Sequence, residues 1–198
     1  MKEKYIAGTV IVFLALLAAV FFLGSRGDAL PNVEPLRATT TVASLSDQVK
    51  SATYLIDGEA ITLTSGVSVL PTAPESASIE TTKIFGEPVI GDINGDGKND
   101  AAILLVQNTG GSGMFYYLAV AYATSTSVLG SNALFLGDRI APQTVEIRNG
   151  MIIANYATRK ADESMTTQPS FGMTLYAKHA PTLMLTTVRM ENIGRVAL

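Results

Sequence analysis

The sequence predicts an all-β domain, a mostly antiparallel sandwich or curled sheet, preceded by one N-terminal transmembrane helix. Three observations carry this. From about residue 46 onward, short runs rich in Val, Ile, Thr, Tyr and Leu alternate with Gly, Asn, Pro and Asp punctuation. Amphipathic helical spacing occurs only near Ser46–Ser51. The stretch from Tyr5 to Ser25 holds no charged side chain at all. The chain of 198 residues is 47% hydrophobic and 16% charged, against about 25% charged in an average soluble domain. Apolar surface is therefore ample for a packed core, which excludes a disordered chain.

Tyr5–Ser25 is 21 residues long. At about 1.5 Å per helical residue it spans roughly 30 Å, the thickness of a bilayer's hydrocarbon core. Lys2 and Lys4 outweigh Glu3 in the stub 1–4, which keeps the N-terminus cytoplasmic and sends the remainder across the membrane. A cleaved signal peptide competes with this reading. Its apolar region is usually about 7–15 residues, and no Ala-x-Ala site follows here. The segment 26–45 contains two prolines and a Thr run, the composition of a semi-extended linker. Its Arg26-Gly27-Asp28 matches the tripeptide read by adhesion receptors, but lies against the lipid surface, where a charged helix end is the simpler reading. The extracytoplasmic domain then runs over 46–198, with the protein expected at a cell membrane, single-pass, and its C-terminal domain periplasmic or extracellular.

Within that domain, Tyr54–Asp57 and Ala60–Thr64 flank Gly58-Glu59 as a tight hairpin, followed by Val67–Leu70. Ile79–Ile90 leads into an Asp-rich loop and Ala101–Gln107 leaves it. Met114–Thr124 is too apolar for a one-sided strand, which marks a central strand covered on both faces. Gln143–Arg148 and Met151–Tyr156 flank Asn149-Gly150, a type I′ turn signal. Thr174–Lys178 and Thr182–Met190 complete about nine or ten strands.

The loop 92–100 reads Asp-Ile-Asn-Gly-Asp-Gly-Lys-Asn-Asp. Calcium seeks six to eight oxygens at about 2.3–2.6 Å, and a short loop supplies them when alternate side chains point inward around a sharp turn. Asp92, Asn94, Asp96 and Asp100 are oxygen donors at alternating positions, Gly97 permits the turn, and the Lys98 carbonyl adds a backbone oxygen. Three carboxylates within nine residues also repel one another, a cost a cation relieves. An ion-free Asp/Asn/Gly turn is the competing reading. An EF-hand loop would need an acidic residue at its twelfth position, where this chain has Ile103, and the flanks read as strands.

The stretch GEPVIGDINGDGKNDAAILL resembles the FG-GAP motif of integrin α-chain propellers and related bacterial proteins. That resemblance implies Ca2+ as the bound ion, with Asp92, Asn94, Asp96, Lys98 (through its backbone) and Asp100 as ligands. It covers about 20 residues, in one copy, so the loop chemistry carries over and the propeller does not. The string GDINGDGKNDAAILLVQNTGGSGMFYY, then LFLGDRIAP, is similar to small bacterial envelope proteins, which supports the location and implies no activity.

Several functions are disfavoured by composition. The net charge of −3 and pI near 5.1 argue against a nucleic-acid binder, and the absence of Cys excludes thiolate metal sites and cysteine nucleophiles. Removing Lys2, Lys4 and Glu3 from the 14 basic and 17 acidic residues leaves 12 and 16, a net of −4 on the outward part. Asn108–Gly113 lacks the Gly-Lys-Ser/Thr ending of a phosphate loop and reads as a hairpin connection. The single His179 has no recognisable nucleophile motif near it. Asp138, Arg139 and the run Arg159–Ser164 are the densest charges elsewhere; Asp138 with Glu163 is the one pair from which an envelope hydrolase could be built. Strand alternation puts Tyr116 and Tyr122 on one face and Tyr117 on the other, as core aromatics or as a stacking surface for carbohydrate or peptide. The expectation is a non-catalytic binding, adhesion or scaffolding domain of a bacterial envelope, with an envelope protein or surface polymer as partner.

Overall fold

The computed structural model of the chain describes residues 43–195. The stub 1–4, the anchor expected over 5–25 and the linker up to residue 42 lie outside them, as does Arg26-Gly27-Asp28. Among the described residues no helix is long and apolar enough to cross a membrane.

The fold is all-β and antiparallel. It opens with one short helix, α1 (Leu45–Val49), whose start is fixed by a capping box: Asp47 N–H donates to Ser44 Oγ, and Ser44 N–H donates back to Asp47 Oδ2. The expected helix near Ser46–Ser51 thus begins slightly earlier, where Ser44 offers the cap. Strands β1 (Thr53–Ile56) and β2 (Glu59–Thr62) form a separate hairpin. Its turn is Asp57-Gly58, one residue before the expected Gly58-Glu59; both residues adopt positive φ (52° and 90°), the type I′ conformation that Asp-Gly favours.

Five strands follow in sheet order: β3 (Val67–Pro71), β4 (Ile79–Gly91), β5 (Asp100–Asn108), β6 (Phe115–Ala123) and β7 (Val128–Gly130). A sixth, β8 (Leu134–Asp138), pairs with β6 beyond the end of β7. The last four, β9 (Ala141–Arg148), β10 (Met151–Thr158), β11 (Phe171–Ala180) and β12 (Met184–Arg195), make a second sheet by simple up-and-down succession. Asn149 and Gly150 form the expected type I′ turn between β9 and β10, with φ of 51° and 72°.

The six-stranded sheet is apolar on both faces because it is covered on both. Alternation sends Ala102, Leu104, Leu118, Val120 and Tyr122 to one side, where they pack with Ile152, Ala154, Tyr156, Leu175 and Ala177 of the four-stranded sheet. It sends Ala101, Ile103, Leu105, Tyr117, Ala119 and Ala121 to the other, under Val49 of α1 and Tyr54, Ile56 and Ile61 of the β1–β2 hairpin. The run FYYLAVAYA is therefore a central strand covered twice, as its composition predicts. The hairpin docks through β1: Leu55 N–H donates to the Ser131 carbonyl at 3.0 Å, and Ala133 N–H donates to the Leu55 carbonyl at 2.7 Å.

Candidate functional site

The Asp-rich loop joins β4 to β5 and is anchored from both ends. Ile93, its second residue, is 3% exposed and belongs to the core beneath the four-stranded sheet. Asp100, its last, is 0% exposed and begins β5. The residues between turn outward; Gly95 and Gly97 take φ of 79° and 80°, the left-handed conformation that costs glycine least.

The acidic side chains each organise the loop backbone. Asp92 spans it, accepting from Gly95 N–H at 2.7 Å through Oδ1 and from Gly97 N–H at 3.0 Å through Oδ2. Asn94 Oδ1 accepts from Asp96 N–H, and Asp96 Oδ1 from Lys98 N–H, both at 2.9 Å. Lys98 Nζ pairs with Asp96 Oδ2 at 3.1 Å. The Lys98 N–H bond, then its ammonium, hold the Asp96 carboxyl below the usual carboxylate range. Asp100 works inward: Oδ2 accepts from Ile93 and Asn94 N–H at 3.0 and 3.3 Å, and Oδ1 from Ala123 N–H at 2.8 Å. This carboxylate ties the loop to the end of β6.

Asp92, Asn94, Asp96, Lys98 and Asp100 are thus brought into one loop. Among the described residues, no three or more His, Cys, Asp or Glu side chains are gathered into one cluster. The donor chemistry nevertheless fits a hard cation. A carboxylate oxygen bonded to one N–H keeps a second lone pair, so both oxygens of Asp92 remain able to donate to a metal. Asp100 has that capacity at Oδ1 only, because Oδ2 already takes two N–H groups.

Beside the loop lies an open concavity of about 540 Å³, bordered by Asp92, Asn94, the Asn149-Gly150 turn, Lys178 and His179. His179 packs edge-on against Tyr122, ring centroids 5.3 Å apart, and its Nδ1 is buried without a hydrogen-bond partner among the described residues. Sequence spacing offered no signal for this neighbourhood, since residues 149 and 178–179 reach the loop only through sheet packing.

The other expected candidates are placed differently. Asp138 and the 159 segment do meet: Arg159 Nη1 donates to the Arg139 carbonyl at 2.8 Å. The Asp138 carboxylate is already used, by Arg139 Nη2 at 2.9 Å and by Met114 N–H at 2.8 Å. Burial pushes its pKa up, but the Arg139 and Met114 hydrogen bonds and the two guanidinium charges outweigh that, leaving it below the ordinary value. Glu163 caps its own turn by accepting from Lys160 N–H. Asn108–Gly113 is the β5–β6 hairpin loop, held by Asn108 Nδ2 donating to the Gly111 and Gly113 carbonyls. Tyr122 and Tyr116 lie on the face of the four-stranded sheet and Tyr117 on the other, as alternation requires.

The chain matches no family model, no curated protein and no solved structure.

Proposed function

We propose that this chain is a membrane-anchored, extracytoplasmic β domain that binds Ca2+ in the loop 92–100 and serves a non-catalytic binding, adhesion or scaffolding role in a bacterial envelope. The observation that carries the reading is the loop's donor content: Asp92, Asn94, Asp96 and Asp100 together with the Lys98 carbonyl, on a backbone bent by two left-handed glycines. Asp92, Asn94 and Asp96 supply side-chain oxygens, Lys98 a backbone oxygen, and Asp100 its Oδ1. A bound cation would offset the mutual repulsion of three carboxylates and fix the β4–β5 connection against the core. Tyr5–Ser25 supplies the membrane attachment in this reading. The role is taken as non-catalytic because the Asp138 carboxylate is already engaged by Arg139 and the Met114 N–H, and Glu163, its expected partner, caps its own turn through Lys160 N–H.

Thermal unfolding of the full chain in mild detergent, in EDTA and then across a calcium series, tests this. An ion that binds only the folded state at a hundredfold excess over Kd adds about 2.7 kcal/mol, a shift of several degrees in a domain of this size. The expected result is a calcium-dependent rise that Asp96→Ala abolishes; Asp96 is exposed, so its removal leaves the core intact. Superimposable melts in EDTA and saturating calcium would reduce the loop to an Asp-rich turn.

A further inference from the structure

At the opposite end of β5, seven residues from Asp100 and so about 23 Å along the strand, lies a second concavity. Its volume is about 470 Å³, within the range of small-molecule sites. Strand register builds it. Gln107 of β5 faces Phe115 of β6, Tyr117 of β6 faces Phe135 of β8, and the β1–β2 turn contributes Asp57. One wall is aromatic. Tyr117 and Phe135 have centroids 5.4 Å apart and tilted by 56°, Phe115 and Phe135 6.4 Å and 47°, and Phe135 is 52% exposed.

The rest of the lining is polar and rich in free acceptors. Gln107 is only 6% exposed. Its Nε2 donates to Glu80 Oε1 at 3.0 Å and to Thr82 Oγ1 at 3.3 Å, which fixes the amide, while its Oε1 accepts from no described residue. Tyr117 donates its hydroxyl to Asp57 Oδ2 at 3.2 Å, leaving Asp57 Oδ1 free among the described residues. Thr109 completes the polar part of the lining. The Gln107 amide is held in place by its Nε2 bonds, and its oxygen is left as an acceptor on the pocket lining.

From this geometry we infer that the pocket binds a pyranose unit of a neutral glycan. A sugar ring has the required two-sided chemistry: an apolar C–H face to lie on Phe135, and hydroxyl donors around its edge for Gln107 Oε1 and Asp57 Oδ1. A cation would also favour carboxylate and aromatics. It would leave the neutral acceptors Gln107 and Thr109 without directed hydroxyl donors, and the tilted rings do not enclose it. The inference names a ligand class for the binding role proposed above and rests on that reading. It shares no residue with the calcium loop.

The test is saturation-transfer NMR of the full chain in detergent with chitotriose, cellotriose and maltotriose, and with tetramethylammonium as the cationic probe, each to about 10 mM. At least one trisaccharide is expected to bind, in EDTA as well as in calcium, and to weaken about tenfold or more in Phe135→Ala. Asp57→Asn, which keeps a side chain tolerant of the left-handed turn but replaces one carboxylate acceptor by an amide donor, is expected to weaken saccharide binding, by less than Phe135→Ala does. Absence of binding by all three saccharides, or binding indifferent to Phe135→Ala, overturns the inference. So does binding of tetramethylammonium alone, lost in Asp57→Asn. Calcium melts on the same samples separate the two claims. A calcium shift without saccharide binding defeats only the glycan pocket, and saccharide binding without a calcium shift defeats only the ion site.

Discussion

Asp100 has two jobs at once, as the last polar position of the loop and as the first residue of a strand buried on both faces. Its two oxygens accept three backbone N–H groups from Ile93, Asn94 and Ala123. In Asp100→Asn one oxygen becomes a donor facing a donor, so at least one of these N–H groups is left unsatisfied. The expected loss is about 1–3 kcal/mol, read as a lower urea midpoint with an unchanged slope. Asp138 gives a pH prediction. Its folded pKa lies below the ordinary carboxylate value, so its contribution is fully present above the unfolded pKa and is lost as pH falls through the folded one. The acid side of the curve of Tm against pH is expected to be shallower in Asp138→Asn than in the parent; identical acid limbs would contradict the assignment. At this scale the sequence was informative where residue type dictates backbone. Asn149-Gly150 and the glycines of the loop 92–100 announce left-handed φ on their own. Gln107, Phe135 and Asp57 give no sign of the pocket, because it is made by register between strands far apart in the chain.

Among the elements, the β1–β2 hairpin depends on one close approach. A Cβ on Gly130 would sit 2.1 Å from the Thr53 carbonyl oxygen and 2.8 Å from Tyr54 Cδ1. Only glycine lets β1 lie against the end of β7. Gly130→Ala is expected to cost about 1–3 kcal/mol through displacement of the hairpin, whereas Gly111→Ala, with nothing within 4 Å, should be close to neutral; chemical denaturation of the pair decides it. Long strands with strong composition were legible from sequence, with β4, β5, β6 and β10 each falling within two residues of their expected span. The short β7 and β8 were not. Val128–Gly130 has three residues, and β8 carries Gly137 at φ 151° with a register shift against β6, so neither shows a sustained two-residue alternation. Their edges are defined by tertiary pairing with β6 rather than by local preference.

On the scale of the whole molecule, double coverage of the middle sheet places several tyrosines in surroundings that resist ionisation. Burial, then the Asp57 and Glu80 carboxylates, pushes Tyr117 up to about 12; burial and Asp100 do the same for Tyr122. The unfolded chain releases these protons near pH 10. Their stabilising contribution is therefore complete below about pH 10 and lost as pH rises through about 12. Alkaline unfolding is expected in that window, with the tyrosinate absorbance rising together with loss of the β circular-dichroism signal; tyrosinate formation complete well before unfolding would contradict it. The architecture was legible as all-β with a doubly covered strand. Its division into layers was not, because hairpin signals identify neighbours without saying which sheet folds over which. That division has a consequence for synthesis. The six-stranded sheet is drawn entirely from residues 67–138 and its cover on one face entirely from 141–195. A ribosome therefore completes the sheet before the strands that shield Leu104, Leu118, Val120 and Tyr122 exist. For that interval the nascent chain carries a finished apolar surface in need of a holder, and a message truncated after codon 138 would yield a chain that aggregates rather than a smaller domain.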